Sequence, residues 1–181
     1  MVKPAVFLDR DGVLTEEKGF LHSADEMETY DFGWCCVEKL HEAGYLAIVI
    51  TNQSGVARGY FNEDDLEKMN TRLIKETGVD AVYYCPHHPE GKIAKYKKVC
   101  ACRKPETSLI DIACKNFEID LSRSYFVGDR ECDIKTGQNA GIKTILVRTG
   151  YGLEEEKKEL HTDFIADNLI SAVDIILGGR K

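Results

Sequence analysis

The sequence predicts a doubly wound α/β fold with a mostly parallel sheet. Apolar runs of strand length alternate along the chain with amphipathic stretches of helix length. The strand-length runs are continuously apolar rather than alternating, which indicates a sheet that helices cover on both faces. Gly44, Gly78 and Gly141 stand just past the ends of amphipathic stretches, where a left-handed residue ends a helix.

The first half of the chain gives five elements in order. Four apolar residues before a carboxylate predict the strand Ala5–Asp9. The amphipathic stretch Phe32–Ala43 predicts a helix that a glycine ends, and the apolar run after it predicts the strand Tyr45–Thr51. The same sequence of signals then predicts the helix Asn62–Thr77 and the strand Ala81–Cys85.

The second half repeats this alternation. Its short apolar runs predict strands at Tyr125–Val127, Thr144–Val147 and Phe164–Ala166. Its amphipathic stretches predict helices at Glu106–Phe117, Asp133–Ala140 and Leu169–Leu177. The charge run Glu154–Glu159 predicts a further, solvated helix in which Glu154 pairs with Lys158.

Length and composition limit the class of protein. The chain has the size of one domain and no stretch like a linker, so residues 1–181 are predicted to fold as a single domain. The longest purely apolar runs are about six residues, far below the roughly 20 that span a bilayer. The first apolar run is also too short for a signal-peptide core, so we expect a cytoplasmic protein without a membrane partner.

The charge is negative overall but uneven. A net charge of −7 and a pI of about 5.3 argue against a nucleic-acid-binding surface. From Lys92 to Lys104, however, there are six basic residues and no acid. Such a patch suits a small anionic ligand, although solvated lysines on a loop would account for about half of the six. We expect a small-molecule substrate and a monomeric protein.

The first strand ends in two carboxylates, Asp9 and Asp11, directly before Gly12. Residues two apart in an extended backbone point to the same side, so both acids would reach into one pocket. Paired acids at the end of a buried strand are costly unless a metal or a reaction uses them. The alternative for this segment alone is an Asp-Gly hairpin turn.

Polar residues follow three other predicted elements as well. They are Thr51-Asn52-Gln53-Ser54, Arg103-Lys104-Pro105 and Gly128-Asp129-Arg130. Each segment alone is typical of a turn or a helix cap. Ligands of open parallel sheets bind beyond the carboxyl ends of the strands, so together these segments predict one site.

With these residues in this order, the chain resembles the haloacid dehalogenase-type (HAD) superfamily of aspartate-dependent phosphohydrolases. The four motifs are the Asp-x-Asp-Gly-Val segment Asp9–Val13, the strand-terminal Thr51, the pair Lys104-Pro105 and the Gly-Asp-x-x-x-Asp segment Gly128–Asp133. The resemblance implies a HAD-type, Rossmann-like sheet. The gaps between the motifs are too short for an inserted cap domain, so loops must shape the pocket.

The resemblance also assigns the reaction. Asp9 would be the nucleophile that forms an aspartyl-phosphate, and Asp11 would act as general acid and then as general base. Mg²⁺ would be held by Asp9, the backbone carbonyl of Asp11 and the carboxylate of Asp129.

Four further residues receive supporting roles from the resemblance. Thr51 and Asn52 would donate hydrogen bonds to phosphoryl oxygens, and Lys104 would supply a positive charge. Asp133 would hold Lys104 or a metal-bound water. The alternatives are a plain helix cap for Asn52 and a solvated first-turn carboxylate for Asp133.

Four residues near the end of the third strand have the composition of a zinc site: Cys85, His87, Cys100 and Cys102. A Cys₃His set suits structural Zn²⁺, with His88 as the alternative to His87. The intervening segment has few apolar groups, so a metal would order this zinc loop, residues 85–102, and thereby position Lys104. The other cysteines show no ligand spacing and are predicted to be small core residues: Cys35, Cys36, Cys114 and Cys132.

Nearly the whole chain resembles one branch of the superfamily, the phosphatases that remove the 7-phosphate of D-glycero-D-manno-heptose 1,7-bisphosphate. The segments Thr51–Gly59, Tyr83–Pro89 and Cys100–Pro105 carry this resemblance. It implies that Arg103 recognises the second phosphate or the hydroxyls, while Arg130 replaces the usual lysine and leaves the anomer open. The substrate-binding residues it implies are Arg10, Glu17, Lys18, Gly19, Phe20, Asn52, Gln53, Ser54, Arg103 and Arg130.

Two alternative functions remain at this point. Histidinol-phosphate phosphatases share the catalytic and zinc motifs, but their cationic substrate favours acids in the pocket, whereas the basic segment here favours a second phosphate. A non-catalytic, zinc-containing binding module would be expected to lack a catalytic acid, the threonine or the lysine. All of these are present.

Overall fold

A computed structural model describes residues 2–178 and contains one six-stranded sheet in which every neighbouring pair is parallel. The strand order is β3-β2-β1-β4-β5-β6. The strands are β1 (Ala5–Leu8), β2 (Leu46–Asn52), β3 (Ala81–Cys85), β4 (Tyr125–Gly128), β5 (Lys143–Val147) and β6 (Phe164–Ala166). The α/β class and the parallel sheet that the sequence predicts are confirmed.

Helices cover both faces of the sheet. They are α1 (Gly33–Glu42), α2 (Ser54–Arg58), α3 (Glu63–Thr77), α4 (Ser108–Asn116), α5 (Glu131–Asn139), α6 (Gly152–Glu156) and α7 (Leu169–Ile176), with 3₁₀ turns at Ala24–Glu26 and Leu121–Arg123. None of those in residues 2–178 has the length and apolar character that a bilayer crossing requires. Within the described residues, no separate cap domain stands over the sheet.

The continuous apolar runs are explained by two hydrophobic cores, one on each face. In β1, Val6 and Leu8 belong to the core with residues of α1, α3 and α7, whereas Ala5 and Phe7 belong to the core with residues of α4. All four side chains are fully buried. Because successive side chains of a strand point to opposite faces, a strand in a sheet covered on both sides is apolar at consecutive positions, and polar residues come only at its end.

Three differences from the sequence prediction concern helices. The segment Ser54–Arg58, expected as part of a loop, forms the short helix α2, and α5 begins at Glu131 rather than at Asp133. The predicted pair of Glu154 with Lys158 is wrong. Glu154 pairs with Lys157 and Lys158 pairs with Glu155, because α6 ends before both lysines.

The strand register positions the site. Leu8, the last residue of β1, lies beside Val49 of β2 and Val127 of β4. The chain therefore leaves β1, β2 and β4 at the same edge of the sheet, and the polar segments that follow these strands meet there.

Candidate active site

A pocket of about 310 Å³ lies at this edge. Its lining includes the four residues predicted to be catalytic, Asp9, Asp11, Thr51 and Lys104. Nine of the ten predicted substrate-binding residues also line it: Arg10, Glu17, Gly19, Phe20, Asn52, Gln53, Ser54, Arg103 and Arg130. The exception is Lys18, whose Nζ lies 2.5 Å from Glu28 and which is absent from the lining.

Lys104 is the central cation of the pocket floor and is almost fully buried. Its Nζ lies 2.8 Å from Asp9 Oδ1 and 2.6 Å from Asp133 Oδ1, and it donates to the carbonyl of Ile50 at 2.8 Å. All three donors of the ammonium group are therefore used. The predicted contact between Asp133 and Lys104 is present.

Asp9 is bound through one oxygen only. Its Oδ1 accepts from the backbone N–H of Arg10 at 2.8 Å and faces Lys104, while Oδ2 receives no hydrogen bond from residues 2–178. The carboxylate is thus oriented by one oxygen, and the other is left for chemistry in the pocket.

Asp129 lies behind Asp9 and is fully buried. Its Oδ2 accepts from the backbone N–H of Tyr151 at 2.8 Å, but its Oδ1 has no hydrogen-bond partner within the described part of the chain. A Cβ on Gly12 or on Gly150 would meet Asp129 Oδ2 at 2.3 or 2.2 Å, so both glycines are needed for the backbone to approach this carboxylate. A buried carboxylate oxygen without a partner is costly, which suggests a ligand that the protein itself does not supply.

Asp9, Asp129 and Asp133 form a carboxylate cluster in which one oxygen from each lies within 4.8 Å of the others. Burial, followed by the nearby charge of Asp9, raises the pKa of Asp129 to about 8. Burial also raises the pKa of Asp133 to about 6, against the opposing effect of Lys104. One lysine does not offset three buried carboxylates, and the donor set of hard oxygens fits Mg²⁺.

Asp11 is held apart from this cluster by its own neighbours. Arg10 donates to both of its oxygens at 3.0 Å, Gln53 Nε2 donates at 2.9 Å and the Thr15 hydroxyl donates at 3.1 Å. Burial alone would raise the pKa of Asp11, but the charge of Arg10 and these hydrogen bonds outweigh it, so the pKa is lowered. Asp11 is therefore ionised in this conformation.

Arg10 and Gln53 both bind Asp11, whereas the family resemblance implied that they bind substrate. Both are buried, and Gln53 Oε1 accepts from Arg10 while its Nε2 donates to Asp11 and to Thr51. The polar groups of Gln53 are all used within the protein, and the Arg10 guanidinium is directed to Asp11 and Gln53. In this conformation both side chains hold Asp11, and both also line the pocket.

The Asn52 side chain also forms hydrogen bonds within the protein, to the backbone of Lys104. Its Oδ1 accepts from the Lys104 backbone N–H at 3.0 Å and its Nδ2 donates to the Lys104 carbonyl at 3.3 Å. The side chain thereby fixes the backbone of Lys104 to the end of β2. The amide is not free to bind a phosphoryl oxygen while these bonds exist, and the plain-cap alternative is also not seen.

Cys85, His87, Cys100 and Cys102 come together as the sequence predicts. The three Sγ–Sγ distances are 3.1 to 3.4 Å, and His87 Nδ1 lies 3.3 Å from Cys102 Sγ. Four ligands around Zn²⁺ at about 2.3 Å would stand some 3.8 Å apart, so these atoms would need to move apart by only about 0.5 Å to form a tetrahedral site. His88, the alternative ligand, points instead to Arg58.

Cys35 was predicted with three others to be a small core residue, and this is wrong. It is exposed, and its Sγ donates to the Phe32 carbonyl at 3.2 Å. Cys36 is buried as expected, whereas Cys114 and Cys132 are half-buried. Cys132 lines the pocket.

One side of the pocket, here called the cationic wall, consists of Arg58, His88 and Arg103. Arg58 Nη2 lies 3.4 Å from His88 Nε2, and Arg103 Nη1 donates to the His87 carbonyl at 3.3 Å. Burial and the charges of Arg103 and Arg58 hold the pKa of His88 below its usual value. Arg58 and His88 were missed as substrate-site residues, although they lie in the segments Thr51–Gly59 and Tyr83–Pro89, which carry the family resemblance.

Arg130 lies against Glu17 and Tyr151. Its Nη2 is 3.4 Å from Glu17 Oε2, and its guanidinium carbon is 3.7 Å from the centre of the Tyr151 ring. Tyr151 was also missed, and its position beside Asp129 depends on the chain returning after β5. The charge of Arg130 is partly offset by Glu17, in contrast to the cationic wall.

Comparisons with known proteins agree with the family resemblance of the sequence. A family model described as HAD-hydrolase-like matches residues 101–172. The chain is 40% identical over 185 residues to the D-glycero-beta-D-manno-heptose-1,7-bisphosphate 7-phosphatase of Haemophilus ducreyi, covering 97% of this chain and 100% of that protein. It is 36% identical to the phosphatase of the same name in Escherichia coli K12, covering 98% and 96%.

Among solved structures, the D,D-heptose 1,7-bisphosphate phosphatase of B. bronchiseptica is similar, with a TM-score of 0.83 and 28% identity over 98% of this chain and 99% of that one. That crystal structure is complexed with magnesium and phosphate. The fold is thus shared over nearly the whole chain.

Proposed function

Because this chain belongs to the HAD-type family of D-glycero-beta-D-manno-heptose-1,7-bisphosphate 7-phosphatases, we propose that it removes the 7-phosphate from that sugar bisphosphate. The reaction is Mg²⁺-dependent and passes through an aspartyl-phosphate. The observation that carries the proposal is the hydrogen bonding of the two buried acids. Among residues 2–178, Asp9 has partners for one oxygen and none for the other, and Asp129 beside it has an oxygen without a partner.

Asp9, the backbone carbonyl of Asp11 and Asp129 would hold the Mg²⁺. When bound, the ion offsets the repulsion between an anionic nucleophile and an anionic phosphate. The orphaned Oδ1 of Asp129 and the glycine cradle around its Oδ2 fit this role.

Asp9 Oδ2 attacks phosphorus, and the bond to the sugar oxygen breaks. Asp11 protonates that oxygen and then takes a proton from the water that attacks the aspartyl-phosphate. The hydrogen bonds from Arg10 and Gln53 keep Asp11 ionised at rest, which is the form needed for the second step. The negative charge of a bound phosphate raises the pKa of Asp11 and so favours the proton it needs for the first step.

Lys104 and Thr51 face the transferring group. The Thr51 hydroxyl already accepts from Gln53, so its own proton is available to a phosphoryl oxygen. Lys104 holds Asp9 in place and offsets charge that develops on the phosphoryl oxygens.

The zinc loop supports the part of the pocket that contains Arg103 and Lys104. Zn²⁺ held by Cys85, His87, Cys100 and Cys102 would be structural, and Lys104 follows the last ligand by two residues. Arg103, Glu17, Gly19, Phe20 and Ser54 surround the rest of the substrate in this proposal. The enzyme is taken to be a cytoplasmic monomer whose residues 1–181 form one domain.

The alternatives are less well supported. Besides Arg10, which binds Asp11, three arginines line the pocket, Arg58, Arg103 and Arg130, and they favour a second phosphate over the cationic group of histidinol phosphate. The complete set of Asp9, Asp11, Thr51 and Lys104 in one pocket favours catalysis over a binding module.

The test is phosphate release from heptose 1,7-bisphosphate and from histidinol phosphate, measured side by side with Mg²⁺. We expect kcat/KM for the heptose substrate to be at least about 100-fold higher, since one charge-assisted contact alone contributes about tenfold or more. The Asp9→Asn variant should lose about 10³-fold or more in turnover. A preference for histidinol phosphate, or release that survives in Asp9→Asn, would contradict the proposal.

A further inference from the structure

We propose that Arg58 and His88 complete, with Arg103, the subsite that binds the second phosphate of the substrate and selects a bisphosphate. This inference rests on the proposed function and deepens it. The family resemblance implied that Arg103 recognises that phosphate or the hydroxyls, whereas Arg58 and His88 are added because of their contact in the folded protein.

The distribution of ion pairs supports this assignment. The seven arginines within residues 2–178 are Arg10, Arg58, Arg72, Arg103, Arg123, Arg130 and Arg148. Five of them pair with a carboxylate. The two without a carboxylate partner in that range, Arg58 and Arg103, both line the pocket on the cationic wall. Two half-buried guanidinium groups left together without a counter-charge are what an anionic ligand requires.

The hydrogen-bonding groups of Arg58 and His88 support the same assignment without reference to charge. His88 Nδ1 accepts from the backbone N–H of Glu90 at 3.1 Å, so in the neutral imidazole the proton is on Nε2. Arg58 Nη2, which can only donate, lies 3.4 Å from that Nε2. Two donors thus face each other, and Arg58 Nε is also buried without a partner in the described chain. A phosphate has enough acceptor oxygens to satisfy all three N–H groups.

The wall is held in place by the fold. Arg58 is the last residue of α2, and the carbonyl of Ala57 accepts from the backbone N–H of Lys92 at 2.7 Å and of Ile93 at 3.0 Å. The end of α2 is therefore bonded to the loop that carries His88. Phe20 covers the Arg58 guanidinium from the other side, 5.4 Å from ring centre to carbon. These contacts fix the donors before substrate arrives, which lowers the entropy cost of binding.

The experiment compares heptose 1,7-bisphosphate with heptose 7-phosphate, the same sugar without the second phosphate. Arg58→Gln should raise KM for the bisphosphate by about 10- to 100-fold, as expected for a lost charge-assisted bond. The increase should be at least about tenfold larger than for the 7-phosphate, and Arg58→Lys should recover part of it. Arg123→Gln is the matched control, since Arg123 is exposed, pairs with Asp120 and lies outside the pocket.

A second pair of variants covers the case in which Arg58→Gln does not fold, as judged by thermal unfolding. His88→Gln keeps an N–H where Nε2 stands, and His88→Asn does not, so KM for the bisphosphate should rise severalfold more in His88→Asn. Equal losses on both substrates, or an unchanged KM for the bisphosphate, would overturn the subsite while leaving the proposed function intact. A wild-type enzyme that does not hydrolyse the bisphosphate would overturn both.

Discussion

The carboxylate cluster and the cationic wall occupy the same pocket but are built in opposite ways. Asp9, Asp129 and Asp133 follow the ends of buried parallel strands, and Lys104 stands between two of them. Arg58 and His88 come from a short helix and a loop and have no carboxylate to pair with in the described chain. The cluster thus has a counter-charge of its own in Lys104, whereas the wall has none within the described chain.

The largest effect should follow from removing the cation of the cluster. Lys104→Met leaves the buried carboxylates of Asp9 and Asp133 without their partner, so the free energy of unfolding should fall by about 3–5 kcal/mol. Turnover should fall by about 10²-fold or more, because the same ammonium group faces the transferring phosphate. Urea unfolding and phosphate release measure the two effects.

A double variant separates stability from catalysis. Lys104→Met with Asp133→Asn should regain much of the stability, because one buried charge is removed, yet remain inactive. Lys135→Met is the matched control, since Lys135 is exposed and pairs only with Glu131. A Lys104→Met protein as stable as the wild type would show that Lys104 does not stabilise the buried carboxylates of Asp9 and Asp133.

An intermediate effect should follow from removing the zinc proposed for the Cys₃His cluster, because the same loop carries His88 of the cationic wall. Without a metal, the segment 86–99 has little apolar burial to order it, so His88, Arg103 and Lys104 lose their fixed positions. We expect faster proteolysis of the loop and a loss of about tenfold or more in kcat/KM for the bisphosphate. Zinc content and turnover are measured before and after chelation.

The corresponding variant is Cys102→Ser, with Cys114→Ser as its control because Cys114 lies on α4 outside the cluster. Cys102→Ser should reproduce the effect of chelation and Cys114→Ser should not. Full activity in a demonstrably zinc-free sample would refute a positioning role for the metal.

The smallest effect concerns the pH dependence of the metal-free protein. The pKa of Asp129 is raised to about 8 in the folded state by burial and by Asp9, so the folded protein binds that proton more tightly than the unfolded chain. Stability is therefore greatest below the unfolded pKa and is lost as the pH rises towards 8. Asp133, with its pKa of about 6, acts in the same direction.

We expect the melting temperature in EDTA to fall by roughly 5 °C or more between pH 5 and pH 8. Asp129→Asn should flatten this dependence, and added Mg²⁺ should oppose it in the wild type. A metal-free protein that is more stable at pH 8 than at pH 5 would contradict the assignment of Asp129 as a buried acid awaiting a cation.

Much of the site follows from local sequence. The six strands and the acids at the end of β1 were predicted, because a continuous apolar run marks a buried parallel strand and the carboxyl ends of such strands meet at one edge. The clustering of Cys85, His87, Cys100 and Cys102 was also predicted, from residue types that suit zinc. Gly44, Gly78 and Gly141 adopt φ of +85°, +76° and +68°, as their positions after helices predict.

What only the tertiary structure decided is which groups face one another. Arg10 carries a charge that suits a substrate, but the turn after β1 directs it into the protein, where it binds Asp11. Likewise, no spacing along the chain shows that Arg58 meets His88, thirty residues away, or that Asp129 keeps an unpaired oxygen. Apolar runs and closely spaced Cys and His residues can be recognised from neighbouring positions in the sequence. The pairing of charged side chains depends instead on how the loops pack against the sheet. This pairing decides which charged side chains are held by the protein and which are left to bind a ligand.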